Sequence, residues 1–214
     1  MMSVVNYKDN IDESINKFDT LKPFLRFLRK FSNISEAEFH QISKYIQIKN
    51  FEKDAFITRK GEVENYLLFI LQGLVRKYYV KYNEEFNTQI SYEGHLIHVQ
   101  ESFHTRTVSD FYIKTLEPTI LASIHHDDLE NIYLLSRKME HVARMVITHT
   151  MVLKDQWTAE LLQLSQKERF LKFVRRHPEL LKRVQQKHLA SYLNVKPETF
   201  SRYKHLLKPP GNTQ

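Results

Sequence analysis

The stretch QKHLASYLNVKPETFSRYKH, residues 186–205, decides how the C-terminal part folds. It fits a helix-turn-helix position by position. Leu189 and Leu193 stand four apart and share the inner face of a first helix, while Ala190 is small where two helices must approach closely. Asn194 falls at the turn, because Asn enters the left-handed region at lower cost than most residues that carry a Cβ. Val195 plugs the turn. Pro197 suits the first turn of a second helix, where its missing N–H costs nothing, and Phe200 and Tyr203 give that helix its buried side.

With Phe200 and Tyr203 inward, the outward face falls on Glu198, Ser201, Arg202 and His205, residues able to reach base edges. Arg202 suits a two-bonded contact to guanine, and Glu198 suits the amino group of cytosine. Lys187, His188, Lys196, Lys204 and Lys208 are placed for phosphates, which give affinity without sequence information. The motif alone leaves open a helical hairpin in some other α-domain, and the distribution of charge bears on that choice. The chain of 214 residues has a net charge of +7, but residues 165–214 hold 12 Lys+Arg against 3 Asp+Glu, a local +9. Residues 1–164 hold 20 basic and 22 acidic side chains. A nearly neutral body with a strongly basic C-terminal piece points to a polyanion, and nucleic acid is the default partner.

Upstream of the motif the texture changes twice. Leu21, Phe24, Leu25 and Leu28 recur at helical spacing; Ser35 and Glu38 then form a capping box before Phe39, Ile42 and Ile46. From 48 to 126 short β-branched and aromatic runs, among them NYLLFILQG, LVRKYYVKY and TILASIHH, alternate with polar turns. Strands this short and close predict an antiparallel β-roll or jelly roll. After Asp127 a helical pattern runs some 35 residues without Gly or Pro. Its apolar stripe, Leu135, Met139, Val142, Val146, His149 and Leu153, suits a dimer seam, because a helix so long on so small a body leaves its apolar face bare unless a second subunit covers it. The alternative is burial in the chain's own core. The expected class is therefore α+β, with residues 1–130 holding N-terminal helices and the roll, 131–164 the dimerisation helix and 165–214 the helix-turn-helix.

This order of parts resembles the Crp/Fnr family of bacterial transcription regulators over nearly the whole chain. KGEVENYLLFILQGLVRKYY (60–79) is similar to the family's roll, with Gly61 and Gly73 at its glycine positions. LSQKERFLKF (164–173) resembles the segment leading into the DNA-binding domain, and KPETFSR (196–202) the start of the recognition helix. The resemblance implies a homodimer reading a two-fold symmetric site on double-stranded DNA, with Glu198 and Arg202 on base-reading positions. Pro197 stands where many members have Arg, and KPPGNTQ after Leu207 is too short for the β-hairpin wing many members carry. Members that bind cyclic nucleotides carry a Gly-Glu pair for the ribose and an Arg-Ser pair for the phosphate. Here His98 and Val99 replace the first, and Ser109 and Asp110 the second, putting a carboxylate where the phosphate's cation belongs. No response to cyclic AMP is expected, although the roll has room for another small effector.

Other chemistries find little support in the residues. With no Cys there is no disulfide framework, thiolate metal site or cysteine nucleophile. His95, His98, Glu101 and His104 crowd one stretch, but spacings of three put successive members on different faces of a strand, so neither a metal nor another cofactor is expected. His149 inside the apolar stripe reads as a neutral histidine bonded within the seam, or as a charge that loosens a dimer near pH 6. No G-x-S-x-G elbow, P-loop, H-E-x-x-H or dinucleotide fingerprint occurs, so no enzyme activity is expected. The rival from another class is a cupin-like metal-binding protein or enzyme with a helical tail. No apolar run reaches the length of a membrane span and the N-terminus lacks a signal-peptide pattern, which predicts a cytoplasmic protein with no membrane partner.

Overall fold

The computed structural model describes residues 13–207. Two helices, α1 (Glu13–Leu28) and α2 (Glu36–Ser43), precede eight strands: β1 (Ile46–Phe51), β2 (Phe56–Thr58), β3 (Tyr66–Gln72), β4 (Leu74–Lys81), β5 (Glu84–Tyr92), β6 (Leu96–Ile97), β7 (Tyr112–Thr115) and β8 (Thr119–His125). One short helix, α3 (Gln100–Thr105), interrupts them between β6 and β7. Six helices follow: α4 (His126–Leu135), α5 (Arg137–Gln163), α6 (Gln166–Arg176), α7 (Leu180–Arg183), α8 (Gln186–Tyr192) and α9 (Pro197–His205).

The strands form two antiparallel four-stranded sheets, ordered β1-β8-β3-β6 and β2-β7-β4-β5. Leu68, Ile70, Val75, Ile97, Ile113 and Leu121 fill the space between them. The alternating residues of the first sheet, such as Phe69, Ala122 and Ile124, face outward onto a helical layer built on Leu21, Phe24 and Phe39. The outer face of the second sheet is covered too, but by the C-terminal domain: Leu74 and Ile90 join one core with Phe170, Leu189 and Phe200. The protein is thus a roll sandwiched between a helical layer and a helix-turn-helix. Gly73 sits at the β3–β4 turn with φ +106°, and a Cβ there would lie 2.5 Å from the Thr119 hydroxyl and 2.7 Å from the Pro118 carbonyl, so only glycine fits.

One expectation about the long helix is corrected and another is narrowed. It is not continuous from Asp127, because Ser136 takes an extended backbone (φ −157°, ψ 117°) and separates α4 from α5. The stripe from Leu135 to Leu153 is covered in its middle only. Met139, Val142 and Val146 are buried against the chain's own Leu21, Phe24 and Phe39, Leu135 precedes the break, His149 lies edge-on to Phe31 at 5.5 Å, and Leu153 lines a cleft facing the C-terminal domain. The helical layer thus covers the middle of the stripe, while Leu135 and Leu153 stay 53% and 49% exposed. α5 also leaves Met145, Ile147, Met151, Val152 and Leu162 exposed; on a 3.6-residue period Met151 and Leu162 point away from the buried stripe, and Met145 and Val152 stand beside them.

Candidate nucleic-acid interface

The helix-turn-helix is built as its apolar residues dictate. Leu189, Ala190, Leu193 and Phe200 are fully buried, and Phe170 of α6 stands edge-on to Phe200 at 5.1 Å. Asn194 takes φ +52° in the turn, and the Val195 N–H donates to the Ala190 carbonyl at 2.9 Å, which locks the angle between α8 and α9. Lys196 is the N-cap of α9 and Pro197 its first residue.

Arg169 carries more of this domain than its place in the sequence suggests. Its buried guanidinium donates to the carbonyls of Leu161 and Leu164 at the end of α5, and to those of Leu193 and Asn194 in the turn. One side chain thus satisfies carbonyls that two helix ends would leave orphaned. Sequence inspection missed it, since a buried Arg looks the same as a solvated one in a basic segment.

The solvent face of α9 gathers Glu198, Arg202 and His205, all exposed, with Ser201 half-buried on its flank. Lys187 and Lys196 are exposed and Lys204 is half-buried; Lys208 lies outside the described residues. His188 is corrected. It is 6% exposed, in contact with the roll and not with solvent, and its carbonyl accepts from the Asn87 amide at 3.3 Å. Burial, helped by the charges of Arg76 and Lys187, pushes its imidazole down to about 4, so at neutral pH it is an uncharged packing residue and no phosphate contact.

That position follows from how α8 docks. The Asn87 N–H donates to the Ser191 hydroxyl at 2.9 Å, and that hydroxyl donates to the Glu85 carbonyl at 3.0 Å. Below them Arg183 makes a two-bonded pair with Glu93, at 3.0 and 2.9 Å, and a third bond to Glu117 at 2.5 Å. Through Ser191, α8 is thereby fixed to the β4–β5 ribbon. Because the folded pKa of His188 lies below its unfolded value, its contribution to stability is present above about pH 6.5 and is lost as pH falls toward 4. His188→Gln is therefore expected to flatten the fall in melting temperature between pH 6.5 and 4; an unchanged slope would remove His188 as its source.

The histidine cluster does not converge. His95 Nδ1 is 3.1 Å from the Tyr92 carbonyl, the rings of His98 and His104 are 6.0 Å apart, and among the described residues no three His, Asp or Glu side chains are placed to hold a metal. Asp110 also departs from expectation. Its carboxylate, 82% exposed, turns outward to Lys60 at 3.0 Å, so it does not oppose an anion inside the roll.

No family model matches the chain, and no curated protein does. Solved structures match strongly. A putative transcriptional regulator of the crp/fnr family from Eubacterium rectale aligns with TM-score 0.63 at 13% identity over 85% of this chain and 87% of that one. The chain has the Crp/Fnr fold. The c-di-GMP-responsive global regulator CLP of Xanthomonas campestris aligns at TM-score 0.65 and 13% identity, covering 81% and 91% of the two chains. FixK2 of Bradyrhizobium japonicum gives 0.64 and 15% over 76% and 84%. These alignments cover most of both chains, so the Crp/Fnr likeness extends to the order of roll, long helix and helix-turn-helix. Among the described residues no helix is long and apolar enough to cross a membrane.

Proposed function

We propose that the chain is a homodimeric, sequence-reading DNA-binding transcription regulator of the cytoplasm, without enzymatic activity and not responsive to cyclic AMP. The observation that carries the reading is the exposed face of Glu198, Arg202 and His205 on a helix whose other side is locked by Phe200 and Arg169, in a segment of local charge +9. A face held this rigidly at the surface, flanked by Lys187 and Lys196, is suited to the major groove and its phosphates. The dimer forms through the exposed side of α5, on Met145, Met151, Val152 and Leu162, because so many exposed apolar side chains on one 27-residue helix need a cover. A cyclic nucleotide finds neither its ribose pair nor its phosphate pair in the roll.

Selection of bound fragments from a random DNA pool at two salt concentrations tests the reading. A palindrome with half-sites one helical turn or a multiple apart is expected; binding without any motif at both salts would overturn it. Arg202→Ala should cost about 1 to 3 kcal/mol and relax discrimination at one base pair of each half-site, whereas Lys196→Ala should weaken all sequences alike. Equal losses on every sequence from both changes would take base reading away from Arg202.

A further inference from the structure

A cavity of about 80 Å³ lies under the helical layer, on the far side of the first sheet from the roll's interior. Its walls are apolar: Phe24 of α1, Ile124 of β8, Ile132 of α4, and Met139 and Val142 of α5. The interior of the roll is a different space, filled by Leu68, Ile70 and Ile97. His98 is the exception on these walls. Leu96 packs on the helical layer and Ile97 between the sheets, so His98 returns to the Leu96 side and lines the cavity. Its ring stands edge-on to Phe103 at 5.5 Å and to His104 at 6.0 Å, and its Nε2 is buried without a hydrogen-bond partner. Two neighbouring polar groups are already engaged: the Gln100 side-chain carbonyl accepts from Lys154, and the Thr150 hydroxyl donates to the Val146 carbonyl at 2.9 Å. Burial, followed by the charge of Lys77, pushes the His98 imidazole down to about 3, so at neutral pH it carries no charge.

A buried polar atom is ordinarily bonded, because it has given up its water and gained nothing in return. A lone water suits this place poorly: its share of liquid volume is about 30 Å³, and it would meet carbon on most sides. An ion suits it worse, since the imidazole is neutral and the walls are apolar. A neutral imidazole nitrogen donates in one tautomer and accepts in the other, and a hydroxyl group matches either. Since an apolar cavity of about 150 Å³ holds one benzene, this one has room for a molecule of roughly three to five heavy atoms.

We propose that this cavity binds a short-chain alcohol, its hydroxyl bonded to His98 Nε2 and its alkyl chain among Ile132, Met139 and Val142. The cavity walls include no residue of the C-terminal domain, so such a ligand ties β6 and α3 to α4 and α5 within the helical layer alone. The inference goes beyond the DNA-binding reading, and its test uses no DNA, so either can fail alone.

The test is NMR titration of the full chain with 1-propanol, and separately with xenon as an apolar probe of the same space. Saturable shifts of the His98 ring and the Met139 methyl are expected with 1-propanol, and of the Met139 methyl with xenon. His98→Phe keeps a ring of similar size without the nitrogens; it should weaken 1-propanol about fivefold or more and leave xenon binding in place. Ala143→Leu, which keeps His98 and fills the cavity from α5, should displace both probes. Without ligand, His98→Phe should raise the melting temperature, since it removes an unbonded buried nitrogen. Shifts that do not saturate, no shift at His98 or Met139, or 1-propanol binding that survives either variant unchanged overturns the proposal.

Discussion

Arg169→Met is expected to destabilise the protein by about 3 kcal/mol or more, seen as a lower urea midpoint, although methionine fills most of the same space. The loss comes from the head group. Four backbone carbonyls, of Leu161, Leu164, Leu193 and Asn194, share one guanidinium in a buried setting, and an apolar replacement leaves them without that donor. Arg169→Lys should recover only part, because one ammonium cannot span carbonyls at two separate helix ends. DNA affinity should fall with the stability of the domain, since the α8–α9 turn loses its anchor to α5. A midpoint shift worth less than about 1 kcal/mol, the net value of an ordinary hydrogen bond, would mean that solvent replaces the guanidinium freely.

Met151→Lys is expected to weaken the dimer by about a hundredfold or more. Met151 is 58% exposed in the single chain and lies on the outer face of α5 with Val152 and Leu162. In a two-fold seam the substitution brings two unpaired ammonium groups into an apolar contact, and burying an unpaired charge costs about 3 to 5 kcal/mol. Sedimentation should show monomers at concentrations where the parent is dimeric, and affinity for a full palindrome should collapse toward that for a half-site. Leu153→Lys tests the other side of the helix, because Leu153 is 49% exposed on the flank of the buried stripe and lines the cleft facing the C-terminal domain. If Leu153→Lys dissociates the dimer and Met151→Lys does not, the seam is on the side first read from the heptad stripe.

The stripe is ambiguous for a physical reason. A run of Met139, Val142 and Val146 records only that one side of a helix avoids water, and a neighbour from the same chain satisfies it as well as a partner does. The competing neighbour, α1, lies more than a hundred residues away in the chain, which no local pattern reports. The roll was legible because its strands alternate locally, yet β6 and α3 escaped notice: two residues of strand and six of helix are too short to show a period. The helix-turn-helix was legible because each position is constrained separately, by a small residue, an αL residue, a first-turn proline and an aromatic anchor. His188 was read as a surface cation for want of its neighbours. Its burial depends on Asn87 and Glu85, on a hairpin about a hundred residues earlier.

The register of the first sheet has a consequence for how the chain is made. β1 pairs with β8, Ile46 opposite Ile124 and Phe51 opposite Thr119, so the first strand finds its partner only after the last has left the ribosome. Leu21 and Phe24 wait longer still, since their apolar cover includes Val142 and Val146. Throughout the synthesis of the roll, the nascent chain holds an apolar helix and an unpaired strand edge in the open, while the basic segment from residue 165 has yet to emerge. Closure of the body and docking of the reading head are therefore nearly simultaneous late events, and chains stopped before residue 146 are expected to be substrates for chaperones and proteases and not small working domains.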